Sequence, residues 1–198
     1  MLSQNNNLPV TNSVGDIRYL RELILAAKQG DKLAFEQVYE LLFTPLYRYV
    51  FSRCRESELA QDICQQAFLK FYQALANYEP DKSPLAYLFT IAKHLLINHH
   101  EKKKSVSFDE TLFETVGDES IDIVDKSHIR LLADQINEYL PELTKDEEDV
   151  IRMYFYAELE YKEIANILEK EEASVRKIKE RALKKLRALT YHLYEGNH

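Results

Sequence analysis

Tryptophan is absent from this 198-residue chain, which holds only four glycines, five prolines and two cysteines. So little glycine and proline leaves few places for turns, and the economical expectation is a mostly helical protein. Cys54 and Cys64 form no C-x-x-C pair and have no third ligand at zinc spacing. They point to buried small hydrophobes in a reducing, cytoplasmic setting. No run approaches the roughly 18 apolar residues that span a bilayer. The opening MLSQNNNLPVTNSVGD carries no positive charge before Arg18 and no apolar centre. It does not read as a secretory signal, and residues 1–15 are expected to be a disordered tail. There is no glycine-rich phosphate loop, and His94 and His99 are not spaced to share a helix face. The expectation is therefore a non-enzymatic protein with no catalytic residues, cofactor or metal.

What the chain does hold is charge, tyrosine and helical periodicity. Hydrophobic residues make up 45% and charged ones 30%, as in a globular domain without membrane insertion. The net charge of -7 argues against coating nucleic acid by bulk attraction. Its distribution matters more. Residues 105–126, SVSFDETLFETVGDESIDIVDK, contain seven acids and one lysine, whereas Arg176 to Arg187 hold seven basic residues against Glu180 alone. Thirteen tyrosines and nine phenylalanines supply rings that close a core or dock on a partner.

Helical spacing divides the chain into two blocks. Asp16 is placed to cap a helix carrying Ile17, Leu20, Leu23, Ile24 and Ala27, which Gly30 ends. A second helix uses Ala34, Phe35, Val38, Leu41, Leu42, Leu46, Tyr49 and Val50, with a bend expected at Pro45. A third, from Ser57 to Ala76, turns Leu59, Ile63, Ala67, Phe68, Phe71 and Leu75 inward. A fourth begins at Pro84 and carries Leu85, Leu88, Phe89, Ala92, Leu95 and Leu96. Residues 16–104 are thus one helical domain, and the acidic stretch 105–126 is a flexible linker. In residues 127–198 a helix from Ser127 to Tyr139 precedes one opened by the Thr144/Glu147 capping box. Val150, Ile151, Tyr154 and Phe155 are its expected buried face. The helices Tyr161 to Leu168 and Ala173 to Leu189 follow, with Ile164, Ala165, Leu168, Val175, Ile178, Ala182, Leu183 and Leu186 inward. The fold class is all-α: two small helical domains, the second containing a helix-turn-helix.

That last pair meets the demands of a DNA-reading unit. Ala165 is small where the helices cross, and Ile164, Leu168, Val175 and Ile178 anchor them. Ser174, Arg176, Lys177, Lys179 and Arg181 offer donors to bases and phosphates. A solvated basic face balancing a helix dipole explains the same residues, so periodicity leaves both readings open. In the first domain, aromatics beside cations suit single-stranded DNA. Asn77, Tyr78 and Tyr87 are the exposed candidates there, with Lys93, Asn98 and His99 following on the fourth helix.

Taken together, AFEQVYELLFTPLYRYV, LAQDICQQAFLKFYQALANYEPDKSPLAYLFTIAKHLLIN, LTKDEEDVIRMYFYAELEYKEIANIL and SVRKIKERALKKLRAL resemble a bacterial extracytoplasmic-function sigma factor, over about residues 28–190. The resemblance implies core RNA polymerase and promoter DNA, double- and single-stranded, as partners, with an anti-sigma factor as a further partner. It implies that Asp62, Gln65, Gln66, Leu69 and Tyr72 contact the polymerase, and that the loop from Asn77 to Ser83 captures an unstacked base. Tyr87 stands where the family usually has Trp, and Gln61 and Gln66 where it often has acids. The linker would then lie in a basic nucleic-acid channel. Ser174, Arg176, Lys177 and Arg181 would read the upstream promoter element.

The departures gather in the second domain. Glu169, Lys170, Ala173 and Ser174 replace the family's usual glycine, apolar, small and threonine residues, and Ile178 replaces a common arginine. Glu171 and Glu172 would either accept from a cytosine amino group or repel DNA. Two alternatives to the sigma factor stay open from the residues: a sigma-like regulator that binds protein without upstream readout, and a standalone repressor.

Overall fold

In the computed structural model, residues 17–106 and 136–195 are described; the tail 1–15, the capping role of Asp16, residues 107–126 of the linker and the helix start at Ser127 lie outside them. The first domain is four helices: α1 (Ile17–Lys28), α2 (Lys32–Cys54), α3 (Ser57–Ala74) and α4 (Pro84–Val106), with a 3-10 turn, Leu75–Asn77, after α3. Several boundaries have a local cause. Gly30 adopts φ +95 between α1 and α2, a conformation glycine reaches without steric cost. Asp31 then accepts from the amides of Leu33 at 2.9 Å and Ala34 at 3.1 Å, capping α2. Arg55, at φ 54, ends α2 in the left-handed region. Ser83 Oγ accepts from the Ala86 amide at 3.2 Å and starts α4. α2 runs continuously through Pro45.

The inward stripes meet in an aromatic centre. Tyr49, Phe71 and Phe89 are fully buried with Val38, Leu42, Leu46 and Leu88. Tyr49 lies 4.7 Å from Phe89, and Phe35, Tyr39, Phe43 and Phe68 continue the ring contacts between α2 and α3. Both thiols sit in this domain. Cys64 is buried on α3, where desolvation pushes its thiol up to about 12. Cys54 is half-buried, donates to the Glu56 carbonyl and is also pushed up by burial. Neither is activated as a nucleophile.

The second domain begins, among the described residues, with helical residues 136–139 and a 3-10 turn, Leu140–Glu142. Then come α5 (Lys145–Ile151), a π turn (Arg152–Tyr156), α6 (Tyr161–Leu168) and α7 (Glu172–Glu195). The Thr144/Glu147 capping box forms as expected. Glu160 and Glu163 build another at the start of α6, where the Glu160 amide donates to Glu163 at 2.7 Å.

Two expected core residues lie outside. Phe155 is 51% exposed because it falls in the π turn, whose wider ring shifts the phase of the inward stripe and brings Met153 into the core instead. Leu183 is 40% exposed, while Val175, Ile178, Ala182 and Leu186 are buried. It sits one residue, or about 100°, off that stripe.

The two domains are in contact. Val150, Met153, Ala157, Leu159, Ile164, Ala165, Val175 and Ile178 belong to the same apolar cluster as the first-domain core. Among the described residues, Leu140, Leu143, Ile151, Ala182 and Leu186 form a separate buried cluster. α6 packs on α4, and the π turn packs on α2.

Candidate nucleic-acid interface

Helical spacing on α3 puts Ile63, Cys64, Ala67, Phe68 and Phe71 inward, which leaves Asp62, Gln65, Gln66, Leu69 and Tyr72 on the solvent face. Leu69 is 57% and Tyr72 49% exposed, two large side chains one helical turn apart on the same face. Gln66 Nε2 donates to Asp62 Oδ2 at 2.7 Å, one helical turn away, and so presents the carboxylate. Asp62 and Gln66 line a groove with Leu59 and Ile63 from α3 and Leu95, Asn98 and His99 from α4. Residues expected to meet protein and residues expected to meet DNA therefore share one cleft.

The loop between α3 and α4 carries the aromatic candidates. Asn77 is exposed, but Tyr78, expected at the surface, is only 6% exposed. Its ring meets Phe71 edge-on at 5.1 Å and Tyr87 at 5.5 Å, while its hydroxyl donates to the Lys82 carbonyl at 2.9 Å. Lys28 Nζ donates to the Tyr78 carbonyl at 2.6 Å, tying the loop to α1. Burial pushes the Tyr78 phenol well above its ordinary range. Tyr78 is thus a buttress, and the half-exposed ring it supports is Tyr87. A supported ring that keeps part of its surface in solvent has the geometry on which a base can stack.

Lys93, expected to face DNA, is occupied. Its Nζ lies 2.5 Å from Asp149 Oδ2 of the second domain. Asn98 is exposed and His99 half-exposed in the α3–α4 groove.

In the helix-turn-helix the structure separates the candidates. Ser174, Lys177 and Arg181, at helical spacings of three and four, line an open groove with Lys170, Glu171, Ile178 and Lys184. Arg176 points elsewhere: its guanidinium is over the Tyr161 ring at 4.1 Å and pairs with Glu172 at 2.5 Å. Lys179 also leaves the groove, donating to the Tyr161 hydroxyl and lying 4.1 Å above the Tyr154 ring. The hydrogen bond from Lys179 lowers the Tyr161 phenol and raises the Lys179 amine from their ordinary values. The glutamates are likewise divided, Glu171 in the groove and Glu172 consumed by Arg176. Arg181 Nε is 3.7 Å from the buried carboxylate of Glu147, which Lys185 also approaches at 2.7 Å.

Sequence reasoning missed the ions between the domains. Tyr49, Arg53 and Lys93 converge on Asp149, which is wholly buried. Arg152, 6% exposed, donates to the Ser52 carbonyl and to Glu148 at 2.8 Å. Desolvation lowers the Arg152 guanidinium from its ordinary value. For Arg53 desolvation is outweighed by Tyr49, Asp149 and Glu148, which raise it. In sequence Asp149 is one acid in KDEEDVI, indistinguishable from the exposed Asp146 and from Glu147 and Glu148 beside it.

Among the described residues no helix is long and apolar enough to cross a membrane, and no group of His, Cys, Asp or Glu is arranged to hold a metal.

Sigma-70 region 2 matches residues 36–106, and Sigma-70, region 4 matches residues 139–188. The ECF RNA polymerase sigma factor SigM of Bacillus subtilis (strain 168) is 25% identical over 158 residues, covering 79% of this chain and 95% of that protein. The RNA polymerase sigma-H factor of Pseudomonas aeruginosa is 24% identical over 160 residues, covering 75% of this chain and 82% of its own length. A similar fold is found in CnrH, solved in complex with the cytosolic domain of CnrY, with a TM-score of 0.64, 21% identity and coverage of 88% of this chain and 98% of that one. The two regions occur in order on the two helical domains, and the relatives that match about three quarters of the chain are sigma factors. The chain therefore belongs to the sigma-70 family, in its extracytoplasmic-function group.

Proposed function

We infer that the protein is a non-enzymatic alternative sigma factor, which directs core RNA polymerase to promoters and assists their opening. The observation that carries this is the ordered pair of regions, 36–106 and 139–188, on a chain covering 95% of SigM.

The residue roles are our proposal, as is the division into domains at 16–104 and 127–198 about the 105–126 linker. Asp62, Gln65, Gln66, Leu69 and Tyr72 bind the polymerase; the exposed apolar pair supports this, since ringed apolar contacts that exclude water strengthen neighbouring polar ones. Tyr87, backed by Tyr78, stacks an unpaired base beside Asn77, while Asn98 and His99 line the strand's path. Melting costs a few kcal/mol per extruded base, so the platform acts by gaining contacts only on the open strand. Ser174, Lys177 and Arg181 meet the upstream element, with Arg176 available only if it leaves Glu172. A partnership with core polymerase supports a cytoplasmic location, and an anti-sigma factor is its proposed regulator.

Transcription reconstituted with purified core enzyme on a genomic promoter library tests the reading. Promoter-dependent product is expected; absence of both core binding and product would overturn it. The Glu172–Arg176 pair favours one second reading, a regulator without upstream readout. Core binding without protection of an upstream element selects that reading.

A further inference from the structure

Three cations of the first domain face three carboxylates of the second. Arg48 pairs with Glu158 at 2.5 Å on the exposed rim, Arg53 reaches Glu148 at 3.5 Å and also Asp149, and Lys93 reaches Asp149 at 2.5 Å. Asp149 is the centre: Oδ1 accepts from Arg53 and, at 3.1 Å, from the Tyr49 hydroxyl, and Oδ2 accepts from Lys93. One carboxylate with no exposure therefore neutralises two cations carried by different helices, α2 and α4.

Such a joint differs in kind from an apolar one. Burying ions costs desolvation that the pairing only about repays, so the cluster adds geometry more than net stability. A carboxylate held by Arg and Lys can also be exchanged for another anion. A phosphodiester offers the same paired oxygens to a guanidinium and the same charge to an ammonium. Lys93 cannot serve Asp149 and a DNA phosphate together.

We propose that Asp149 occupies the place of a DNA phosphate: it clasps Arg53 and Lys93, holds the second domain against the first, and keeps that cationic face from DNA until the domains part. This rests on the sigma-factor reading of the first domain as a DNA-binding one. Closure is then autoinhibitory, and a ligand opens it only through its preference for the open state. The apolar residues shared across the joint, Val150, Met153 and Ile164 among them, keep the closed arrangement populated.

The test uses the full chain and Asp149→Asn, which leaves two cations facing a neutral amide. Small-angle X-ray scattering reads domain separation, and anisotropy of a fluorescein-labelled single-stranded DNA oligonucleotide reads binding without polymerase. A larger radius of gyration and about tenfold tighter DNA binding are expected, with the gain erased by adding Lys93→Ala. A folded variant whose DNA binding is unchanged overturns the proposal, whether or not its radius grows. Should circular dichroism show Asp149→Asn unfolded, Tyr49→Phe decides, because it keeps the ring and removes the hydroxyl shared by Asp149 and Arg53. It is expected to tighten DNA binding about threefold, and no gain refutes the clasp. Transcription by the parent chain with core enzyme runs alongside. Activity there with no gain in the variants sinks the clasp alone, whereas its absence sinks the sigma-factor reading.

Discussion

The two domains solve the problem of a small core differently. The first closes on itself, with α1 to α4 wrapping Tyr49, Phe71 and Phe89 in aromatic contacts that need no partner. Among its described residues, the second keeps Leu140, Leu143, Ile151, Ala182 and Leu186 to itself and shares its other buried apolar side chains with its neighbour. Small units bury too little apolar surface to be independently stable by a wide margin. The second domain's helix-turn-helix thus borrows part of its rigidity from the surface of the first.

The largest test of that contrast is Phe71→Ala, which empties a fully buried ring site at the centre of the self-sufficient core. It should cost about 3–5 kcal/mol in urea unfolding, against about 2–3 kcal/mol for Leu186→Ala in the smaller cluster. Equal losses would break the comparison. Next is Arg152→Ala, about 3 kcal/mol, because it leaves the half-buried Glu148 with Arg53 at 3.5 Å in place of a 2.8 Å partner and takes a charged donor from the Ser52 carbonyl across the joint. Hydrogen exchange should rise in both domains at once, and a rise in the second alone would mean the joint transmits nothing. Tyr87→Ala removes the exposed platform while leaving Tyr78 and Phe71 in place. Open-complex formation should fall roughly tenfold, within the about 1–3 kcal/mol of a base–aromatic stack, with little change in melting temperature.

A pH titration separates the domains further. Burial alone would raise Glu147, but its hydrogen bonds to Lys185 and to Thr144 hold its carboxyl below the ordinary value of 4.5. A carboxylate depressed in the folded state stabilises fully above its unfolded value, and that contribution is lost as pH falls through and below it. Thermal melts from neutral pH into that acid range should show the second domain weakening, and Glu147→Gln should flatten its dependence. The smallest effect belongs to Glu169, which ends α6 at φ 52 where the family commonly has glycine. Glu169→Gly should add about 0.5–1 kcal/mol by relieving the left-handed strain, seen as a small rise in melting temperature.

Much of this was legible in sequence because it is local. The stripe Leu20, Leu23, Ile24 and Ala27, the Thr144/Glu147 box and the exposed row from Asp62 to Tyr72 follow from periodicity and capping alone. Phe155 was misplaced because a π turn is set by its surroundings and slips the phase of everything after it. Tyr78 was misplaced because a loop tyrosine looks exposed until Phe71 and Tyr87 are known to flank it. Arg176 could have been separated from Ser174, Lys177 and Arg181 by spacing, since it does not share their face. Asp149 could not, because its partners Tyr49, Arg53 and Lys93 come from the other domain.

The two cysteines give the first domain a built-in clock. Cys64 is buried on α3, beneath the face that carries Asp62 and Gln65, and Cys54 is half-buried at the end of α2. A thiol reagent must wait for each site to open, and it must then find the deprotonated sulfur. Modification of Cys54 should therefore track fraying at the end of α2, while Cys64 reacts only when α3 itself lifts from the bundle. The delay between the two would measure how long α3 stays seated, in seconds rather than in free energy.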